Sequence, residues 1–549
     1  MVTVNWIDEP PRDDDDAPSP SRRTFLRHCG ELAAGLSLSA CAPHLSMHGT
    51  GAVMPQLSER ERAAFAAWAL DAARSAGATY ADVRITGARA QRVGLRSQTG
   101  GGRKVEHVPS VSDDASFGFG VRVIAQGAWG FAASHRVTRE EAVRVATLAV
   151  AIAKANAPLR DEPVRLAPNP AHVARYETPV AVDPFSVPVG EKLDLMRRVH
   201  AAALSVPKTF SARSYVWQRL EDRFFASSEG SAITQRIVQI SPSFSVSALE
   251  RGKRAKQRTC RPNAITGGYE AVTRARLLDQ AKRVAEEAAQ HLAAPSVTAG
   301  PKDLVLLPSH LGLTIHESIG HSTELDRALG FEANLAGTSF LTPDKLGKFR
   351  VGAELCNFFG DRTRPESLST CGYDDDGVKT REFPIIRNGI FVGFQTIRAE
   401  AHLVGQTESM GCCYADSYAS VPFQRMPNVW LAPAPKAVTL QDLVGGVEDG
   451  ILIDGRGSYS IDQQRYNFQF GGDAFWEIKG GKVRGMLADV AYQSRTPDFW
   501  QACDGLGGEA TWENVGLDAD GKGEPMQLNS MSHGCPPARL RKMSVLRTG

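Results

Sequence analysis

The residues best placed to do chemistry lie in the run Leu313-Thr314-Ile315-His316-Glu317-Ser318-Ile319-Gly320-His321. Two imidazoles bracket a stretch of helical character, and a carboxylate follows the first directly. In the familiar zinc-peptidase helix the two histidines stand four apart, so both rings project to one side. Here they stand five apart. On a regular helix that puts them roughly 140° apart around the axis, too far to share one ion. A local π-turn, with more residues per turn, returns them to one face, and such turns concentrate at functional sites. Gly320, just before His321, is expected to ease that distortion, because glycine tolerates unusual backbone angles. A catalytic zinc takes three protein ligands and keeps a fourth position for water. The third ligand must come from elsewhere, and Met531-Ser532-His533-Gly534-Cys535-Pro536-Pro537 offers a histidine and a cysteine in one Gly/Pro turn.

These residues need a scaffold that the rest of the chain must supply. The 549 residues exceed one ordinary domain and suggest two to four. Hydrophobic residues make up 42% and charged residues 23%, an ordinary globular balance. With 63 basic against 61 acidic side chains, the net charge of +2 argues against nucleic acid or an anionic membrane as the main partner. No run of about 18 apolar residues occurs, which speaks against a spanning helix. Helical periodicity appears over 57–77, 142–155, 190–206 and most cleanly over 269–293. Strand-like segments occupy Tyr80–Ile85, Gln91–Leu95, 118–124 and 212–250. The basic stretch from Arg251 to Arg261 reads as a solvated loop. After Pro301 the texture changes: Leu304-Val305-Leu306-Leu307 forms a buried strand leading into the histidine segment, and 350–549 is rich in glycine and strand. The expected fold class is α+β, with a mixed α/β domain over 57–300, a β-rich domain over 301–549, and the histidine helix near their junction.

The residues together resemble the TldD/PmbA family, in its metallopeptidase (TldD-type) branch. The resemblance rests on His316–His321 and the strand before it, and on Gly337-Thr338-Ser339 after it. It continues through Ala353-Glu354-Leu355-Cys356, Asp374-Asp375-Asp376-Gly377, Asn388-Gly389-Ile390 and Met426-Pro427-Asn428. It implies one zinc per chain on His316, His321 and Cys535, with Glu317 as the general base that takes the proton of the attacking water. His533 matches no family ligand. It further implies hydrolysis of unfolded or extended peptides inside a homodimer or a heterodimer with a metal-free sister subunit. The metal-free branch lacks the two histidines, so the chain is expected to be an active peptidase. The chain departs from the family pattern before Met426, where Cys412-Cys413-Tyr414-Ala415-Asp416-Ser417 replaces an arginine-rich run. A metal-binding scaffold without turnover is the alternative, though Glu317 serves no purpose in one. A serine hydrolase would need a G-x-S-x-G elbow, which is absent. A cysteine peptidase would rest on an arbitrary pairing of Cys535 or Cys356 with some histidine.

The first 56 residues stand apart. Ser21-Arg22-Arg23-Thr24-Phe25-Leu26-Arg27, followed by the short apolar stretch Leu32–Ala40, resembles a twin-arginine export signal. Leu38-Ser39-Ala40-Cys41 resembles a lipoprotein box, which would make Cys41 a lipid anchor, and 42–56 reads as a tether. Export to the periplasm or cell envelope is therefore expected, or a cytoplasmic location if the signal is not used. The nine cysteines show no C-x-x-C pair and no framework spacing.

Overall fold

The computed structural model describes residues 54–99 and 105–548, and the twin-arginine stretch, the Cys41 box and the tether up to residue 53 lie outside the described residues. Helix α1 (Glu59–Ser75) begins where its sequence provides a capping box. The Ser58 hydroxyl accepts from the Glu61 N–H, and the Glu61 carboxylate accepts the Ser58 N–H at 2.8 Å. Thr138 caps α2 (Arg139–Asn156) with its side chain alone, accepting from the Glu141 N–H. By length and composition alone residues 139–159 could span a membrane. The small apolar face of that helix is nevertheless buried, with Ala142, Val145, Ala146 and Ala149 packed into a core with Val121, Val123 and α1.

These helices pack near one end of an eight-stranded sheet: β1 (Tyr80–Thr99), β2 (Val105–Ala125), β3 (Ala128–Ser134), β4 (Val173–Glu177), β5 (Thr209–Ser227), β6 (Ala232–Ala248), β7 (Lys256–Cys260) and β8 (Ile265–Thr266). The order is β3-β2-β1-β5-β6-β4, with β7 and β8 also on β6. Tyr80–Ile85 and Gln91–Leu95, expected as separate strands, are parts of one. Gly87 does not turn the chain but stays in the ladder between Phe117 and Asp222. Helices α3 (Val189–Leu204), α4 (Glu270–Arg274) and α5 (Leu277–His291) follow. α3 and α5 pack with β5, β6 and β7 around Phe244, Val246 and Ala281. The single helix expected over 269–293 is broken at Arg276, whose φ of 46° no α-helix accommodates. Nor is the basic stretch all solvated loop. Arg258 sits buried on β7, bonded to Glu287 and Asp473 at 2.7 Å each and to Asp454.

Strand β9 (Gly300–Leu306) opens a second, nine-stranded sheet. It pairs in parallel with Asp449–Asp454 and antiparallel with Ala538–Arg547. The far edge of this sheet is the short strand Tyr459–Ile461, followed inward by Asn467–Phe470 and Val490–Arg495. Helix α6 (Pro308–Ile315) leaves β9 immediately and carries Leu311, Leu313 and Ile315 into the core that also holds Tyr492, Phe499 and Trp500. The architecture is α+β. Buried ion pairs join its two halves: Arg122 bonds Asp82 at 2.8 Å on its own sheet and Asp376 at 2.7 Å across the junction. The Asp374–Asp376 turn thus acts as an electrostatic anchor for the first sheet.

Candidate metal centre

The five-residue spacing of the histidines is resolved by the backbone. After Ile315 the α-helix widens into one π-turn, His316–Gly320, closed by the N–H of His321 bonding to the carbonyl of His316. The two rings consequently share a face, with centroids 4.4 Å apart. Gly320 has ordinary right-handed angles, φ −53° and ψ −64°, so its backbone freedom is not what the turn uses. A Cβ there would lie 2.5 Å from the buried Met426 sulfur, and close approach is the reason for glycine.

The third corner is Asp520. It lies on Gly516–Lys522, paired with Gln527–Ser532, and the register of that pair slips between Leu517 and Asp520. Such a bulge re-aims a side chain, and sites of this kind are where bulges gather. Asp520 Oδ1 stands 3.5 Å from His316 Nε2 and 3.5 Å from His321 Nε2. Among the described residues, His316, His321 and Asp520 form a group whose donor atoms converge as a metal site requires. Donors at 2.0–2.2 Å from a tetrahedral ion stand about 3.4 Å from one another, so the observed spacing fits such an ion. Arg425, fully buried, holds the other oxygen: its Nη2 lies 3.1 Å from Asp520 Oδ2 and donates to the Asp520 carbonyl at 2.7 Å. Burial alone would raise the Asp520 carboxyl, but the neighbouring His321 and His316 outweigh it and hold it well below its usual value.

Each imidazole is set from behind. His533 Nδ1 donates to the Val429 carbonyl at 3.1 Å, so its Nε2 is left as an acceptor for His316 Nδ1–H at 2.9 Å. His316 Nε2 then carries a free lone pair. Burial keeps His533 far below the usual imidazole value and hence neutral. His321 Nδ1 lies 2.8 Å from Glu324 Oε2, an oxygen that only accepts, which puts the proton on Nδ1 and the lone pair on Nε2. Arg327 Nη2 also approaches that nitrogen, at 3.0 Å, but the guanidinium is committed to Glu324 through Nε and to the Ala336 carbonyl, and the carboxylate contact is the shorter. Lys522, two residues from Asp520 and wholly buried, bonds Glu324 at 3.1 Å and Asp326 at 2.8 Å.

Of the expected residues, the structure brings together His316, His321 and Glu317, and it leaves Cys535 out. The Cys535 thiol packs 3.8 Å from the Pro308 carbonyl, at the opening turn of α6. Pro308 precedes His316 by eight residues, about 12 Å of helix rise, so the thiol sits at the wrong end. Its backbone is fixed there by the bridge to Glu513, and burial pushes the thiol well above its usual value, which disfavours the thiolate a metal needs. Glu317 is buried, and its Oε2 has no hydrogen-bond partner; Arg465 Nε lies 3.6 Å away.

Comparison with known proteins gives a consistent pattern. Residues 107–153, 182–294 and 299–547 match the models for domain 1, the central domain and the C-terminal domain of the PmbA/TldA metallopeptidases. A metalloprotease of Methanothermobacter thermautotrophicus is 25% identical over 467 residues, 85% of this chain and 95% of its own. A zinc metalloprotease TldD homolog of Saccharolobus solfataricus is 27% identical over 250 residues, 45% of this chain and 52% of its own. The crystal structure of TldE from Thermococcus kodakarensis superposes with a TM-score of 0.65 over 89% of this chain and all of that one, at 17% identity, a likeness of fold.

Proposed function

Because the chain belongs to the PmbA/TldD metallopeptidase family, we propose that it hydrolyses unfolded or extended peptides at a single zinc held by His316, His321 and Asp520. The observation that carries this reading is the donor triangle. Two imidazole nitrogens with lone pairs set from behind face one carboxylate oxygen at 3.5 Å each, and the next residue after His316 is the buried Glu317, whose Oε2 makes no hydrogen bond. Two histidines and a carboxylate make a known catalytic zinc set, and a relative named as a zinc metalloprotease supports that metal. Cys535 supplies no ligand in this reading. The ion would supply Lewis acidity toward the attacking water and the scissile carbonyl. Glu317 takes one proton from the water as its oxygen bonds to the carbonyl carbon, and the carbonyl π pair moves onto oxygen. When that pair returns and the C–N bond breaks, Glu317 hands the proton to the leaving nitrogen.

The edge strand Tyr459–Ile461 supports an extended substrate. It ends the nine-stranded sheet, Tyr459 is exposed, and the Glu317 charge is the main influence that raises its phenol. A peptide laid along this edge would be held by main-chain hydrogen bonds with little sequence preference. The proposal includes pairing with a second copy or with a metal-free sister of the TldE kind, and twin-arginine export of the folded chain to the cell envelope. Cytoplasmic residence is the outcome if the signal is not used, and lipidation at Cys41 is part of the exported case. The test is hydrolysis of an unstructured peptide by the zinc-loaded full chain beside Glu317→Gln. Turnover that falls by about 10²–10⁴-fold in the variant at unchanged zinc content is expected. Zinc bound equally by both with turnover in neither, even with a sister subunit added, would leave a metal-binding scaffold instead.

A further inference from the structure

Resting on that reading, we infer that Arg465 is a catalytic residue: its guanidinium receives the oxyanion that forms on the scissile carbonyl, opposite Glu317. Arg465 and Glu317 each keep one polar atom buried and unbonded, Arg465 Nε and Glu317 Oε2. The two atoms lie 3.6 Å apart, too far for a hydrogen bond. Leaving a buried donor and a buried acceptor unmet costs about 1–3 kcal/mol each. A single group between them would satisfy both. The tetrahedral adduct of a peptide bond has the required chemistry, since two oxygens share one carbon. The oxygen derived from water meets the carboxyl of Glu317, and the former carbonyl oxygen, now carrying the electron pair, accepts from the Nε–H of Arg465. Nothing is transferred to Arg465, which stays protonated while the adduct forms and collapses.

The fold fixes Arg465 as a positioned group rather than a mobile surface side chain. It sits between Tyr459–Ile461 and Asn467–Phe470 with φ at 63°, a left-handed conformation that side-chain-bearing residues seldom adopt. The turn is held by Asp462, whose carboxylate accepts the N–H of Tyr466 at 2.8 Å and of Asn467 at 2.9 Å, while its carbonyl accepts the N–H of Arg465 at 3.0 Å. The Thr496 hydroxyl donates to the Arg465 carbonyl at 2.7 Å. The terminal nitrogens are tied down as well, Nη1 to the Asp462 carbonyl at 3.2 Å and Nη2 to that of Ala336 at 3.5 Å. Nε is the guanidinium nitrogen left without a hydrogen bond, and it is the one that lies 3.6 Å from Glu317 Oε2. Backbone strain of this kind is kept where surrounding contacts over-determine it, as at functional sites. The same turn follows the exposed edge strand, so the group that would hold the oxyanion and the edge that would hold the peptide are built into one hairpin.

The experiment uses the zinc-loaded full chain, Arg465→Lys and Arg465→Ala, with zinc quantified in each. The readouts are peptide hydrolysis, affinity for a phosphinic peptide that mimics the tetrahedral adduct, and rescue by guanidinium ion at millimolar concentration. The expected result is a loss of about 10²–10³-fold in kcat for Arg465→Ala, with KM within a few-fold and zinc unchanged. Affinity for the phosphinic peptide should fall in parallel with kcat/KM, guanidinium should restore part of the rate, and Arg465→Lys should lie between. Parent-like kcat in Arg465→Ala would overturn the assignment. So would a loss that guanidinium does not restore and that leaves phosphinic affinity untouched, since that pattern belongs to a structural role. Absence of turnover in the parent itself would overturn the hydrolase reading, and this assignment with it.

Discussion

Exchanging Asp520 and exchanging Cys535 should have opposite consequences, and the contrast isolates the ligand set. Asp520 Oδ1 stands 3.5 Å from both imidazole Nε2 atoms, whereas the Cys535 thiol packs against the Pro308 carbonyl at the far end of α6. Structural zinc bound by four ligands is worth about 10–16 kcal/mol near pH 7, or about 2.5–4 kcal/mol per ligand. Loss of the Asp520 carboxylate should therefore weaken zinc binding by about 10²–10³-fold. Asp520→Ala also deprives Arg425 of its carboxylate, so Asp520→Asn is the better variant. It keeps the shape and one carbonyl oxygen, and most of the loss should survive because the charge is gone. Cys535→Ala removes only a buried thiol and should shift zinc affinity by less than about threefold, with a stability cost of the size usual for a small core truncation. The assay is competition for zinc against a chromophoric chelator at pH 7, with circular dichroism confirming the fold. Release of the metal by Cys535→Ala with retention by Asp520→Asn would refute this ligand set.

Three further outcomes follow from the same geometry. Glu324→Gln removes the charge behind His321 and should weaken zinc binding about 10–100-fold without displacing any ligand, read in the same competition. Gly320→Ala should cost about 1–3 kcal/mol in chemical denaturation, because its Cβ would meet the buried Met426 sulfur at 2.5 Å. His310 is neutral, donating from Nδ1 to the Gly455 carbonyl at 2.9 Å and accepting from the Tyr492 hydroxyl at 2.8 Å, and burial lowers it from 6.5 to about 4. A depressed imidazole stabilises the fold above pH 6.5 and ceases to as pH falls toward 4. The decline of stability with acid across that window should be shallower in His310→Gln by up to about 1.4 kcal/mol per pH unit, measured by denaturant unfolding at several pH values.

How much of this was legible in the sequence depends on whether a feature is local. The His316–His321 pair announces itself, and if the two are to share one ion their spacing calls for a π-turn, which the backbone contains. The caps of α1 and α2 are equally local, since Ser58 and Thr138 each precede an acidic residue by three positions. Asp520 is different. It is one aspartate in Asp518-Ala519-Asp520-Gly521, some two hundred residues from the histidines, and only a bulge in strand pairing aims it at them. Cys535 drew attention because a thiolate is a strong ligand, but ligand strength says nothing of which end of a helix a strand will meet. Arg465 gave no signal either, as its role comes from contacts across the fold, to Glu317 and Ala336. Gly320 was the right residue for the wrong reason: its neighbour Met426, not its own torsions, excludes a side chain. The break at Arg276 likewise escaped a periodicity that runs unbroken through it.

The most direct test of the metal site is X-ray absorption at the zinc edge on the zinc-loaded full chain, paired with an anomalous-difference map from its crystals. One ion should appear between His316, His321 and Asp520, with two nitrogens and one protein oxygen at about 2.0–2.2 Å and no sulfur in the first shell. A sulfur scatterer at about 2.3 Å, or density beside Cys535 and none between the two histidines, would contradict the site described here.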